Sequence, residues 1–79
     1  MTINYQGKEI GIIKREDELI FTHKSVRVSH KEIDRFLKSG KEKAILKSGN
    51  TIRNRGKYFW IDCLAFYKKE YNQLKDKLL

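Results

Sequence analysis

The sequence predicts a single small α+β domain with N-terminal strands, a central capped helix, a β-hairpin and a long C-terminal helix. Apolar residues alternate with polar ones in the first third, a capping signal precedes the central helix, and an aromatic strand leads into an apolar stripe in the last third. Residues 1–28 are assigned mainly to strands, 29–40 to the helix, 43–61 to strands and hairpin, and 62–79 to the C-terminal helix. A chain this short buries only about 60% of its unfolded surface, so its core is thin.

The N-terminal strands are predicted from period-two alternation. Ile3 and Tyr5 are separated by polar Asn4, and the pattern resumes at Ile10 and Ile12 after a glycine turn. This alternation is typical of strands with one buried face. We therefore expect a meander of two or three strands, with "ELIFTHKS", residues 18–25, as either a further strand or a short helix.

The central helix has the most complete set of signals, in the segment "VSHKEIDRFLKSG". Ser29 is a predicted N-cap, and Glu32 completes the pattern of a capping box. Gly40 supplies a residue that adopts the left-handed conformation at a helix end. The predicted apolar face consists of Ile33, Phe36 and Leu37.

A hairpin is predicted within "TIRNRGKYFWI", after a segment, "KEKAILKSGNTI", that fits either a strand or a helical turn ending at Gly49. Alternation puts Tyr58 and Trp60 on one face of the aromatic strand and its other two residues on the opposite face. One pair must be buried. We expect Trp60 in the core, since it continues the apolar stripe of the next helix, and Tyr58 exposed beside the turn.

The C-terminal helix is predicted over about residues 63–77, with Asp62 as its N-cap. Its stripe has spacings of three and four residues, which keeps one face apolar. Two interpretations stay open: the stripe packs on the domain's own core in a monomer, or its distal half pairs with a second copy in a homodimer. The stripe comprises Trp60, Leu64, Tyr67, Tyr71, Leu74 and Leu78.

Positive charge is concentrated in the middle of the chain. The net charge is +8, and residues 1–23, 24–57 and 58–79 contribute −1, +8 and +1. A general solubilising excess would be spread more evenly. Concentration in one segment indicates a surface for a negatively charged partner.

Catalytic and metal-binding patterns are not evident in the sequence. His23 and His30 have no second ligand at metal-binding spacing, and Cys63 is the single cysteine. We therefore expect no enzyme activity, no metal and no cofactor. The N-terminal residues lack an apolar signal core, and the longest apolar run is far too short to cross a bilayer. These features predict a cytoplasmic protein without membrane contact.

Nucleic-acid binding is the function that the basic segment favours, with DNA as the first ligand and RNA as the alternative. The helix cations recur at i, i+4 and i+7, so they form one stripe, and further cations surround the hairpin turn. The competing interpretation is a solvated helix face and a solvated turn. The candidate contact residues are Lys31, Arg35, Lys38, Lys41, Lys43, Lys47, Arg53, Arg55, Lys57 and Tyr58.

The order of these elements resembles the winged-helix portion of the small excisionases of phages and conjugative transposons. The resemblance covers residues 25–66, with residues 28–37 at the recognition helix, "LKSGNTI" before the wing strand, and residues 53–57 at the wing. It implies an architectural DNA-binding factor without catalysis, which is encoded by a mobile element and acts with a recombinase. The alternative is a phage or mobile-element protein that binds and modulates an acidic or nucleic-acid-binding host protein.

Overall fold

The computed structural model describes all 79 residues, and it shows a single α+β domain built as two successive ββββα units. The first unit consists of β1 (Thr2–Tyr5), β2 (Lys8–Arg15), β3 (Glu18–His23), β4 (Val26–Ser29) and α1 (His30–Ser39). The second unit consists of β5 (Lys43–Ile45), β6 (Thr51–Arg55), β7 (Tyr58–Ile61), β8 (Leu64–Tyr67) and α2 (Lys68–Leu78). The predicted fold class is confirmed. The doubling of the unit was not predicted.

Each unit folds its strands into a separate antiparallel meander. The first sheet has the order β1-β2-β3-β4 and the second has the order β5-β6-β7-β8. Most of the hairpins turn on two residues, and such turns need positive φ angles because these match the twist of the flanking strands. Glu16, Lys24 and Asp62 adopt φ angles of 52°, 52° and 51° at these turns, although none is a glycine. Residues 18–23 of "ELIFTHKS" form β3, so this segment is mostly strand and not helix.

The inner faces of both sheets and the two helices share one core. Phe59 of the second sheet stacks on Phe66 with ring centroids 5.1 Å apart. Tyr71 of α2 meets Phe59 edge-on at 5.1 Å and lies 6.0 Å from Phe21 of the first sheet. Aromatic pairs at these distances contribute beyond the area that they bury. The ring of Tyr71 therefore joins the two units.

Helix α1 begins and ends where the sequence predicts. The Ser29 hydroxyl accepts the backbone N–H of Lys31 at 3.2 Å, and Gly40 ends the helix with a φ of 74°. The second half of the predicted capping box is wrong. The Glu32 carboxylate instead accepts the backbone N–H of Lys47 at 2.9 Å, which ties α1 to the following loop. The apolar face is confirmed, because Ile33 and Phe36 are buried and Leu37 is partly buried against the core.

The C-terminal helix begins at Lys68 and not at residue 63, so this predicted boundary is wrong. Residues 64–67 form β8 because Leu64 and Phe66, two positions apart, can enter the core only from a strand. Asp62 lies in the preceding turn, where its carboxylate accepts the backbone N–H of Thr51 at 3.1 Å. The predicted stripe is therefore helical only from Tyr71 onward.

A polar cluster connects the two helices. The Asp34 carboxylate of α1 accepts the Tyr71 hydroxyl at 2.8 Å and pairs with the Lys75 ammonium at 2.8 Å. Burial of the phenol, followed by its hydrogen bond to Asp34, raises the pKa of Tyr71 above its ordinary value. Leu74 and Leu78 are partly buried against the same core. Neither helix has the length and apolar character needed to cross a membrane.

Candidate nucleic-acid interface

The outer face of the second sheet carries cations and aromatic rings side by side. Its strands alternate, with Ile52, Phe59, Ile61, Leu64 and Phe66 turned into the core. The intervening residues lie on the opposite side. We call this surface the basic–aromatic face, and its residues are Lys43, Ile45, Thr51, Arg53, Arg55, Tyr58, Trp60, Ala65 and Tyr67.

The strand register arranges these side chains in rows. One row crosses the sheet through Lys43, Arg53, Trp60 and Ala65. The next row, nearer the β6–β7 turn, runs through Arg55, Tyr58 and Tyr67. Neighbouring strands are roughly 4.8 Å apart, so members of a row are within reach of one another. The cations lie on β5 and β6, and the rings lie on β7 and β8.

The cationic half of the face is a polar depression of about 390 Å³ with no apolar lining residue. Lys43, Arg53 and Arg55 are exposed, and none of them takes part in either of the two salt bridges of the molecule. Glu42 is the single carboxylate at its rim. Unpaired cations in one concavity raise the local concentration of anions. The depression is lined by Glu42, Lys43, Arg53, Asn54, Arg55 and Gly56.

The aromatic half of the face is open to solvent. Tyr58 is 43% exposed, as expected, and its ring lies 5.3 Å from that of Tyr67. Trp60 is 38% exposed, whereas Phe59 and Ile61 are fully buried. The prediction that Trp60 belongs to the core is therefore wrong. It assumed a helix beginning at residue 63, and without that helix Trp60 has no apolar stripe to continue.

The remaining candidate cations do not form one surface. Arg35 and Lys41 line a groove of about 200 Å³ between α1 and β5, beside Ile45. Lys31 instead pairs with Asp17 at 3.1 Å, and this contact lowers the pKa of Asp17. Lys47 lines a different depression, next to β4. Lys38 is exposed on α1, and Lys57 is exposed in the β6–β7 turn.

The first sheet provides an internal comparison, because its outer face has the same topology and a different composition. Arg15 and Glu18 flank the β2–β3 turn as Arg55 and Tyr58 flank the β6–β7 turn. The first face has no aromatic residue, and its two cations are balanced by two carboxylates. Its residues are Thr2, Asn4, Glu9, Gly11, Ile13, Arg15, Glu18, Ile20, Thr22, Arg27 and Ser29.

Tyr67 occupies the N-cap position of α2, as Ser29 occupies the N-cap position of α1. The Ser29 hydroxyl caps α1, but the Tyr67 side chain makes no capping hydrogen bond to α2. A serine-type cap stabilises a helix by about 1 kcal/mol. The second unit thus has a ring on its outer face at a position where a small polar residue would stabilise the helix.

Sequence reasoning missed three residues of this face: the exposed Trp60, the half-buried Tyr67 and the exposed Ile45. The signal for the first two was present: "YFWI" and "LAFY" both alternate at period two. Taken as two paired strands, they place Tyr58, Trp60 and Tyr67 on the same side. Ile45 is 66% exposed at the end of β5, and the sequence around it gives no indication of this.

No family model, no curated protein and no solved structure matches the chain. The resemblance to excisionases therefore stays a prediction. The helix that the resemblance assigns to DNA recognition is α1, and in this chain the elements directly before α1 are strands β3 and β4.

Proposed function

We propose that the protein is a non-catalytic nucleic-acid-binding protein that contacts its ligand through the basic–aromatic face. The observation that carries this proposal is the row in which unpaired Lys43 and Arg53 lie beside exposed Trp60. Cations bind phosphates, and exposed rings stack on bases. The outer face of the first sheet, with the same topology, has no aromatic ring, and its two cations are balanced by two carboxylates.

A charged surface serving solubility alone would not need this arrangement. The net charge of +8 already favours solubility, and most of the other cations are scattered over the molecule. On the basic–aromatic face, three cations converge on one depression and two large rings remain exposed nearby. Exposed aromatic residues beside converging cations are typical of surfaces that bind nucleic acids.

Helix α1, which the sequence predicted as a contact element, supplies fewer of the proposed contacts than expected. Its three cations diverge, since Lys31 is paired with Asp17 and only Arg35 lines a groove beside β5. We therefore assign the main contacts to the sheet, with Arg35 and Lys41 at its margin. The resemblance to excisionases supports an origin in a phage or mobile element and makes DNA the first ligand to test.

The alternative is that this face binds an acidic protein. Ile45, 66% exposed between the groove and the sheet, is the observation that favours it, because an apolar anchor suits a protein interface. Such a partner would use the same cations. Nucleic acid and protein are therefore to be distinguished by direct binding.

The test is fluorescence anisotropy with labelled DNA and RNA oligonucleotides, in single-stranded and duplex form, at 50 and 200 mM salt. We expect binding of at least one of these at 50 mM salt and much weaker binding at 200 mM, because bound phosphates release counterions. Absence of binding to all of them at low salt would overturn the proposal and favour the acidic protein partner.

A further inference from the structure

We infer that the ligand of the basic–aromatic face is a single-stranded nucleic acid, with bases on Tyr58 and Trp60 and phosphates toward Lys43, Arg53 and Arg55. This inference rests on the proposed function and narrows its ligand class. It follows from the spacing of the two rings, from the absence of an aromatic or cationic partner for Trp60, and from the separation of rings and cations on the sheet.

The spacing of the two rings suits bases that have been unstacked. Tyr58 and Trp60 lie two positions apart on β7 and on the same face. Such residues are roughly 6.8 Å apart along a strand, about twice the ~3.4 Å rise per nucleotide in one strand of a duplex. Two consecutive bases can therefore each occupy one ring only when they no longer stack on each other. A flexible single strand meets this condition, whereas a duplex does not.

The Trp60 ring has no aromatic or cationic partner within the molecule. It belongs to none of the aromatic pairs, and no cation lies over it. Its neighbours in the row are Arg53 on one side and the small Ala65 on the other. A methyl side chain at position 65 leaves one side of the indole accessible. Tyr58, by contrast, has Tyr67 beside it, so the two phenol rings form a wider apolar support.

The separation of cations and rings gives the bound strand an orientation. Cations occupy β5 and β6, and rings occupy β7 and β8, so the two groups form parallel bands along the strands. A nucleic acid strand that follows β7 would direct its phosphates toward Arg53 and Arg55 and its bases toward the rings. Duplex DNA hides the faces of its bases within the stack, so it could use only the cationic band.

Intrinsic fluorescence tests this inference directly, because Trp60 is the only tryptophan. We would titrate the protein with a 12-nucleotide oligo-dT, with oligo-U of the same length, with a duplex, and with an abasic oligonucleotide that carries the phosphates alone. We expect oligo-dT or oligo-U to bind and to quench the emission of Trp60. The duplex and the abasic strand should bind more weakly and leave the emission nearly unchanged.

Variants separate stacking from a general loss of structure. Trp60→Ala should weaken single-strand binding by roughly 5- to 140-fold, since one base–aromatic stack contributes about 1–3 kcal/mol and 1.4 kcal/mol corresponds to tenfold. Trp60→Phe should retain most of the affinity. Ile13→Ala is the matched control, because Ile13 has the same 38% exposure on the outer face of the first sheet. Circular dichroism checks the fold of each variant.

The outcomes distinguish this inference from the function on which it rests. Equal or tighter binding of the duplex without quenching, or binding of the abasic strand as tight as that of oligo-dT, would overturn the single-strand inference and leave nucleic-acid binding intact. Unchanged single-strand affinity in a folded Trp60→Ala variant would also overturn it. Absence of binding to every oligonucleotide would overturn both.

Discussion

Arg53 and Trp60 are opposite each other across strands β6 and β7, and both side chains are exposed. The equivalent positions in the first unit are Ile13 and Ile20, which also pair across the sheet but offer neither charge nor ring. The same backbone arrangement thus carries different surface chemistry in the two units. This difference defines the candidate interface and supplies control residues for several of the binding experiments.

Glu42→Gln should increase nucleic-acid affinity. Glu42 is the only carboxylate that lines the cationic depression, and it opposes an approaching phosphate there. The amide has nearly the same shape, and the backbone carbonyl of Glu42, which accepts the N–H of Asn54, is unaffected. We expect a gain of severalfold at 50 mM salt in an anisotropy titration. Glu9→Gln, at an exposed position on the outer face of the first sheet, is the control. A loss of affinity in Glu42→Gln would contradict the assigned position of the ligand.

Arg35→Ala and Lys31→Ala should differ, although both residues belong to the same predicted stripe of α1. Arg35 lines the groove beside β5, whereas the Lys31 ammonium pairs with Asp17 at 3.1 Å. If the ligand extends over that groove, Arg35→Ala should reduce the slope of log affinity against log salt by about one, and Lys31→Ala should leave it unchanged. Equal effects of the two substitutions would indicate that α1 acts as one basic surface after all.

Ser29→Ala should lower the free energy of unfolding by about 1–2 kcal/mol. The hydroxyl accepts the backbone N–H of Lys31 and donates to the Glu18 carboxylate at 2.6 Å, so both contacts are lost. Urea denaturation followed by circular dichroism measures the change. Ser25→Ala, at an exposed turn, should cost less than about 0.5 kcal/mol. A Ser29→Ala variant as stable as the wild type would mean that the cap contributes nothing to α1.

Tyr71 should make the protein less stable at alkaline pH. The pKa of its phenol is raised in the folded state, chiefly by burial, and is about 10 in the unfolded chain. Its contribution to stability is therefore complete below pH 10. It decreases by about 1.4 kcal/mol per pH unit above that value, because only the unfolded state loses the proton. Denaturation between pH 8 and pH 12 measures this slope.

Tyr71→Phe tests whether the loss of stability above pH 10 comes from Tyr71. The variant should lose about 1–2 kcal/mol at pH 7, since the hydrogen bonds to Asp34 and to the His30 carbonyl disappear. It should also show a shallower alkaline decline than the wild type. Tyr58→Phe, on the exposed face, is the control and should keep the wild-type slope. Identical slopes in Tyr71→Phe and the wild type would assign the alkaline instability to other groups.

Local signals in the sequence were sufficient to predict α1 and the α+β class. The N-cap at Ser29, the apolar spacing and Gly40 each act within one or two turns of helix, so no knowledge of the rest of the chain was needed. Strand β8 was missed because "LAFY" fits both a strand and the first turn of a helix. Pairing with β7 decides between them, and a single sequence does not show that pairing.

The repeat of the ββββα unit was not predicted because its hairpin turns lack the usual sequence signals. Glu16, Lys24 and Asp62 adopt positive φ angles without the Asn-Gly or Asp-Gly pairs that normally reveal such hairpins. The candidate cations were identified as a group, but their distribution depends on register. Lys43 reaches Arg53 only because β5 and β6 pair at these residues, whereas Lys47 belongs to a loop held by Glu32.

The salt dependence of binding in two charge-matched triple variants tests the central claim most directly. One variant changes Lys43, Arg53 and Arg55 to Ala, and the other changes the exposed Lys14, Arg15 and Arg27 of the first sheet. Both lose three positive charges. The account predicts that the first variant binds single-stranded nucleic acid far more weakly, with a salt slope smaller by about 2, and that the second stays near the wild type. Equal losses in the two folded variants would contradict it, because binding would then follow net charge and not the basic–aromatic face.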